Sequence, residues 1–155
     1  MPHPIMFRDD DMGLAEVRGI ALGFPQAFEK VSWGRPVFCA PKMFVIFGGS
    51  VKGDPKIEGS AEGAAKNNGA AKNNGAAKNN YVQHPHSILI KVDDSDRKAL
   101  EQDTRFFYPA YLGPFGWLGL DFAAKKVDWV EVAELVDSSF RLVAPKKSIR
   151  QLDER

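Results

Sequence analysis

A hexapeptide, GAAKNN, occurs three times in succession and fills residues 63–80 of the 155-residue chain. A period of six residues fits neither the 3.6-residue turn of an α-helix nor the two-residue repeat of a β-strand. No large apolar side chain occurs between Ile57 and Tyr81, so this segment has nothing to bury in a core. We therefore expect a single domain over residues 1–155 that carries a flexible, low-complexity insertion at about residues 54–80.

The charge balance limits the possible partners. The chain has 21 Lys and Arg residues against 20 Asp and Glu residues, a net charge of +1. Three of the lysines lie in the repeat, which leaves 18 basic against 20 acidic residues elsewhere, a net charge of −2. Domains that hold nucleic acid by bulk electrostatics usually show a clear basic excess. The overall charge therefore counts against a nucleic-acid partner.

Cysteine content and hydropathy favour a cytoplasmic protein. The single cysteine, Cys39, excludes an internal disulfide framework and a multi-cysteine zinc site. No apolar run approaches the roughly 20 residues that span a bilayer. The first residues, MPHPIMFRDDD, lack the apolar stretch of a signal peptide. We expect no membrane association.

Apolar periodicity predicts three helices, over roughly residues 12–22, 96–102 and 128–140. Each begins at or near carboxylates that can cap it: Asp11, the cluster at residues 93–96, and Asp128. In the last helix, Val132, Leu135, Val136 and Phe140 form a stripe that faces the core.

Runs of β-branched and aromatic residues predict four strands, at VSWGRPVF, KMFVIFGG, SILIKV and WLGLDF. The first two are joined as a hairpin through Ala40 and Pro41, and Gly119 predicts a twist or bulge in the fourth. The order of predicted elements is typical of an α+β fold: helix, two strands, insertion, strand, helix, strand, helix. We expect an antiparallel β-sheet with helices packed on one face.

The sequence offers little for catalysis, a cofactor or a metal. His84 and His86 flank Pro85, beside the insertion, and are interpreted as loop histidines rather than metal ligands. Cys39 lies inside a predicted strand and is interpreted as a packing residue. The glycines of GPFGWLG lead into a strand and do not open a helix, as a dinucleotide-binding loop would. We predict no catalytic residue, no cofactor and no metal, and an enzyme is the least supported function.

Aromatic side chains occur beside glycine, proline and a cation in two segments, at residues 33–36 and 105–117. These rings fit either an ordinary aromatic core with turns or a concave surface on which a ligand or a base stacks. The residues predicted to bind nucleic acid or a ligand are Trp33, Arg35, Lys42, Tyr111, Trp117, Arg141, Lys146 and Lys147.

The same segments carry a family resemblance. FEKVSWGRPVF, KMFVIFGG, SILIKVD, RFFYPAYLGPFGWLGLD and RLVAPKK follow one another in the order found in the MmcQ/YjbR-like family of small bacterial proteins, which the chain resembles. The resemblance implies a compact α+β domain, similar to secretion-chaperone-like or frataxin-like layouts. It also implies DNA binding through a double-wing arrangement, in which hairpin loops flank a helix. It brings no catalytic residues.

Two main hypotheses follow for function. In the first, the protein is a DNA-binding module whose phosphate contacts are Lys42, the repeat lysines and the basic residues around Pro145, with Trp33 and Arg35 near bases or sugars. In the second, a pocket between VSWGRP and YLGPFGW binds a small anionic molecule or a peptide, and Arg35 or Lys146 pairs with its charge. A third hypothesis, a protein partner held on an exposed apolar patch, stays open at this point.

Overall fold

The computed structural model describes residues 4–52, 81–123 and 126–155. The insertion predicted at about residues 54–80 lies outside the described residues. The strands are β1 (Phe28–Ser32), β2 (Arg35–Cys39), β3 (Met43–Lys52), β4 (Tyr81–Lys91), β5 (Phe106–Phe107) and β6 (Trp117–Asp121). The helices are α1 (Leu14–Ala21), α2 (Asp94–Glu101), α3 (Trp129–Val143) and α4 (Lys146–Asp153), with a 3₁₀ turn at Gly113–Phe115.

The strands form one six-stranded sheet in the order β1-β2-β3-β4-β6-β5. All five neighbouring pairs are antiparallel. Helices α1 and α3 pack against each other and against the central strands. The predicted α+β class with an antiparallel sheet is therefore confirmed.

The main core lies between the sheet and these two helices. Phe140 of α3 packs against Phe24 and Phe44, with ring centroids 4.9 and 5.3 Å away. Val132 and Val136 of the predicted helical stripe are also fully buried, and Leu135 is partly buried against the core. The side chains of this helix that the 3.6-residue period marks as apolar are thus the ones that meet the sheet.

The opposite face of the sheet carries a smaller apolar cluster. It contains Val37, Cys39, Ile46, Leu89 and Trp117. Strand residues alternate between the two faces, so the immediate neighbours of these side chains belong to the main core. Among the described residues, the partly buried side chains packed on this cluster are Met43, Phe107 and Leu112, and none of them lies in an α-helix. This second face is therefore only partly covered.

VSWGRPVF is not the single strand that its composition predicts. It is a hairpin, in which Ser32 pairs with Arg35 and the turn is made by Trp33 and Gly34. Both turn residues have positive φ, 54° and 75°, as a two-residue hairpin turn requires for its twist to match that of the strands. A side chain at position 34 would also collide with the backbone oxygen of Pro4, because the N-terminal segment crosses over the turn.

Two of the three predicted caps are confirmed. The side chain of Asp128 accepts hydrogen bonds from the amides of Val130 and Glu131, and Asp93 accepts one from Ser95. Asp11 is not the cap of α1, which begins after Gly13 without a side-chain cap. Its carboxylate instead accepts the amide of Arg8 at 2.9 Å, within the turn that precedes the helix.

The tail after Pro145 forms a fourth helix, α4, that sequence reasoning treated only as a basic stretch. Its apolar residues are few, but Ile149 and Leu152 are spaced three apart and both pack on the main core. That spacing places them on one helical face. The only sequence signal for the helix was therefore this pair, in an otherwise polar segment.

Gly119 does not create the predicted bulge, since β6 pairs with β4 without a register shift. Register shifts occur elsewhere: between β3 and β4, where Phe47 pairs with Ile88 but Gly49 pairs with His84 and Gly48 has a φ of 89°, and between β2 and β3 at Phe38 and Cys39. Gly119 serves another purpose. A Cβ at this position would overlap the ring of Phe107, which lies across the glycine from the edge strand β5.

We predict that Gly119→Ala lowers the free energy of unfolding by about 1–3 kcal/mol, because the Phe107 ring must be displaced. Gly19→Ala in α1 is the matched control. A Cβ there meets no atom within 4 Å, so the helix should gain about 0.5–1 kcal/mol. Denaturant unfolding followed by circular dichroism measures both. Equal stability of the Gly119→Ala variant and the unmodified protein would show that the ring does not need this space.

Candidate functional site

A groove of about 470 Å³ lies on the partly covered face of the sheet. Its floor is formed by Cys39, Met43 and Trp117, which belong to or pack on the smaller apolar cluster. Trp117 is only 4% exposed and Cys39 only 1%, so the floor is part of the folded interior. Its volume falls within the range of small-molecule sites, about 300–1,000 Å³.

Three lysines line the groove: Lys30 from β1, Lys42 from the turn between β2 and β3, and Lys91 from the end of β4. Trp33 and Ser32, at the tip of the first hairpin, also line it. No carboxylate is among the described residues that line this space. We call this arrangement, with its apolar floor, the lysine groove.

The groove lysines take no part in the ion pairs of the described residues. Those pairs use five arginines and the two histidines of β4 as their cations. Lysines that are not paired with a carboxylate keep their ammonium groups available for an anion. The groove therefore concentrates positive charge in a chain whose overall charge is close to zero.

A buried serine anchors the backbone at Lys91. The amide of Lys91 donates to the hydroxyl of Ser139 at 2.9 Å, and that hydroxyl donates to the backbone oxygen of Phe44 at 2.6 Å. The Cε atom of Lys91 lies 3.5 Å from the position that a Cβ of Gly116 would take. The buried serine thus fixes the backbone of β4 where the lysine emerges.

The hairpin turn fixes Trp33 at the rim of the groove. The backbone oxygen of the next residue, Gly34, accepts the amide of Met6 at 2.8 Å, which ties the turn to the N-terminal segment. The Trp33 side chain is 48% exposed. A large apolar ring is thus presented to solvent on a backbone that is held on two sides.

The structure brings three of the predicted site residues together at the groove, namely Trp33, Lys42 and Trp117. Arg35 is not among the residues that line it. Its guanidinium donates to Oε1 of Gln83 at 2.7 Å and packs where a side chain at Gly48 would lie, and burial lowers its pKa. Arg35 therefore packs at the register shift between β3 and β4.

Tyr111 also lies outside the groove lining. It is 75% exposed, has a φ of 67°, and its hydroxyl lies 2.8 Å from that of Tyr81. The hydrogen bond with Tyr81 raises the pKa of Tyr111.

The three basic residues predicted near Pro145 differ in availability. The guanidinium of Arg141 donates to Asp137 at 2.6 Å and to Asp153 at 2.7 Å, and these bonds raise its pKa. Arg141 links α3 to α4. Because the two carboxylates occupy its guanidinium, this group is not available to bind a phosphate. Lys146 and Lys147 are exposed at the start of α4, a few residues after Val143, which lines the groove.

The two histidines lie inside β4 and not in a loop. His84 stacks on Phe107 with ring centroids 4.0 Å apart, and its Nδ1 lies 2.5 Å from Oδ2 of Asp121. Nε2 of His86 lies 3.7 Å from a carboxylate oxygen of Asp11. Within residues 4–52, 81–123 and 126–155, no group of three or more His, Cys, Asp or Glu residues is placed to hold a metal. No helix in these ranges has the length and apolarity to cross a membrane.

Sequence reasoning missed Lys30 and Lys91 as site residues. The signal was present in the alternation of the strands: Leu89 and Lys91 share one face of SILIKV, and Lys30 shares a face with Ser32. Their meeting depends on the strand order, which places β1 and β4 on either side of the β2–β3 hairpin. That order is a tertiary feature that the alternation does not specify.

Comparison with known proteins gives one match. The family model of YjbR matches residues 22–142 of this chain, a range that contains all three groove lysines and both groove tryptophans. No curated protein and no solved structure matches the chain significantly.

We predict that Cys39 reacts with a disulfide reagent at pH 8 about 100-fold more slowly in the native protein than in guanidinium, since only opening of the fold exposes it. Burial raises the pKa of the thiol, so the reactive thiolate is also scarcer at this pH than in a free cysteine. Absorbance of the released thiolate measures the rate, and Cys39→Ser supplies the background. A native rate equal to that of glutathione would show that the groove floor is open to solvent.

Proposed function

This chain belongs to the YjbR family, and from that membership we propose that it is a non-catalytic DNA-binding module whose lysine groove holds the phosphate backbone. One observation carries the proposal. Lysines from three separate elements converge on one groove, and no carboxylate is among the described residues that line it. Ammonium groups so placed are suited to contacts with successive phosphates.

A local cluster of this kind answers the objection raised by the overall charge. At physiological ionic strength, charges separated by more than about 8 Å are largely screened. The potential that a phosphate meets is therefore set mainly by the nearest lysines. Three phosphate contacts give a dependence of log K on log salt with a slope of about −2 to −3, which is typical of a weak and salt-sensitive binder.

The groove changes the set of residues proposed to contact DNA. Lys30 and Lys91 join Lys42, and Arg141 leaves the set because its guanidinium is occupied by Asp137 and Asp153. Lys146 and Lys147 stay in the proposed set as exposed cations that follow Val143. Trp33 remains near the bases or sugars.

A second candidate function is the binding of a small anionic molecule. The observation that favours it is the apolar floor, since Cys39, Met43 and Trp117 offer a contact that a bare phosphate backbone does not use. A ligand with an anionic group and a flat apolar part would satisfy both the lysines and the floor. Thermal-shift titration with mononucleotides and aromatic carboxylates tests this candidate separately from DNA.

We predict that the double variant Lys30→Ala/Lys42→Ala binds a fluorescein-labelled oligonucleotide about 100-fold more weakly at about 50 mM salt, roughly tenfold for each lysine replaced. Its salt slope should fall in magnitude by about 2, because two fewer phosphates are neutralised. Fluorescence anisotropy measures both quantities, with single-stranded and duplex forms of the same sequence.

Lys98→Ala is the matched control, because this lysine is exposed on α2 and does not line the groove. Its variant should bind as the unmodified protein does. Absence of binding to either form of DNA by the unmodified protein, at tens of micromolar and about 50 mM salt, would reject the proposed function.

A further inference from the structure

We infer that the lysine groove binds single-stranded DNA in preference to duplex, with one unpaired base stacked on Trp33 and the neighbouring phosphates on Lys30, Lys42 and Lys91. This inference rests on the proposed function and names its substrate class.

Trp33 is an aromatic ring with no role in the core. Its side chain is 48% exposed, while the other groove tryptophan, Trp117, is buried in the floor. Leaving an indole in water forgoes the stabilisation that burial gives, so its exposure at this position is a cost to the free protein. A stacked base would remove that surface from water.

The turn restricts the motion of the backbone that carries this ring. Ser32 and Arg35 pair on either side of the turn, and the hydrogen bond from Met6 to Gly34 ties the turn to the N-terminal segment. Tryptophan also sits there with a φ of 54°, a conformation that non-glycine residues adopt infrequently. An aromatic platform on a fixed backbone loses little entropy when a base stacks on it.

The composition of the groove matches what single strands require. Sites for single-stranded nucleic acid combine a positively charged groove with aromatic rings that stack on the bases. A duplex keeps its bases stacked inside, so an indole gains a base contact there only if base steps are unstacked, at a cost of a few kcal/mol. Trp33 therefore increases the affinity for an unpaired base and adds little to the affinity for a duplex.

The dimensions agree with this choice. At about 470 Å³, the groove suits a molecule of nucleotide size, and Trp33 lines the same space as the three lysines. A single unpaired nucleotide can therefore touch the ring and the cations at once. A duplex keeps its bases paired and stacked, so it meets the lysines through its phosphates without stacking a base on the ring.

The test compares a labelled 12-residue thymidine oligomer with a duplex of equal length, by anisotropy at about 50 mM salt. We expect the single strand to bind at least tenfold more tightly. Trp33→Asn should weaken single-strand binding by about tenfold or more, as expected when one base stack is removed, and weaken duplex binding much less. Asparagine before glycine favours this turn type, so the variant removes the ring and keeps the hairpin.

Tyr111→Asn is the matched control, since Tyr111 is also an exposed aromatic residue with positive φ but does not line the groove. It should bind both forms normally, and Trp33→Phe should retain most of the single-strand affinity. Unfolding curves establish that each variant is folded.

The outcomes separate this inference from the proposed function. Two results would overturn the preference for single strands and leave DNA binding in place. One is a duplex that binds as tightly as the single strand. The other is an equal loss of single-strand affinity in Trp33→Asn and Tyr111→Asn. Thymidine monophosphate bound as tightly as the oligomer would show that the groove takes a free nucleotide, and would overturn the single-strand assignment. Failure to bind either form of DNA would overturn the proposed function itself.

Discussion

Phe140 of α3 packs against Phe24 and Phe44, and the arrangement of both faces of the sheet depends on this contact. Fully burying one such side chain stabilises a fold by about 1.5–3 kcal/mol. Because α1 and α3 both bury their apolar stripes on this face, the helices leave the other face with only a small cluster and a few loop side chains. The lysine groove exists because that second face is incompletely covered.

One hydrogen-bonded serine joins the core to the groove. Ser139 belongs to the same helix as Phe140 and is fully buried, yet it bonds to the backbone of both central strands, at Phe44 and at Lys91. The position of a groove lysine is therefore set by the helix on the opposite face. Arginines serve the scaffold elsewhere: Arg18 ties α1 to Glu29 of β1, and Arg105, in the connection between α2 and β5, bonds to Glu131 of α3. The planar, bidentate guanidinium suits these fixed pairs, and the lysines are left for the groove.

Local chemistry made much of the fold predictable. The capping carboxylates of α2 and α3 and the apolar stripe of α3 are short-range signals, and each was confirmed. What failed was decided by tertiary contacts. Trp33 has the composition of a strand residue but lies in a turn, because Gly34 and the crossing N-terminal segment fix the hairpin there. A glycine inside a strand suggests a bulge, but Gly119 instead makes room for the ring of Phe107. Phe107 belongs to β5, a strand of two residues that is too short to be recognised from the sequence. Part of the groove lining was predicted from the sequence. Trp33, Lys42 and Trp117 were recognised as candidate site residues from their residue types and sequence neighbours. Lys30 and Lys91 were not, because they become neighbours only through the strand order.

The pairing of Lys52 with Tyr81, the last pair between β3 and β4, bears on how the protein can be engineered. The chain leaves and re-enters the sheet at adjacent points, so the sheet sets no required length for the segment between them. Doubling the length of a closed loop costs only about 0.6 kcal/mol. A fluorescent reporter whose own termini lie close together can therefore be spliced in at this point without disturbing strand register.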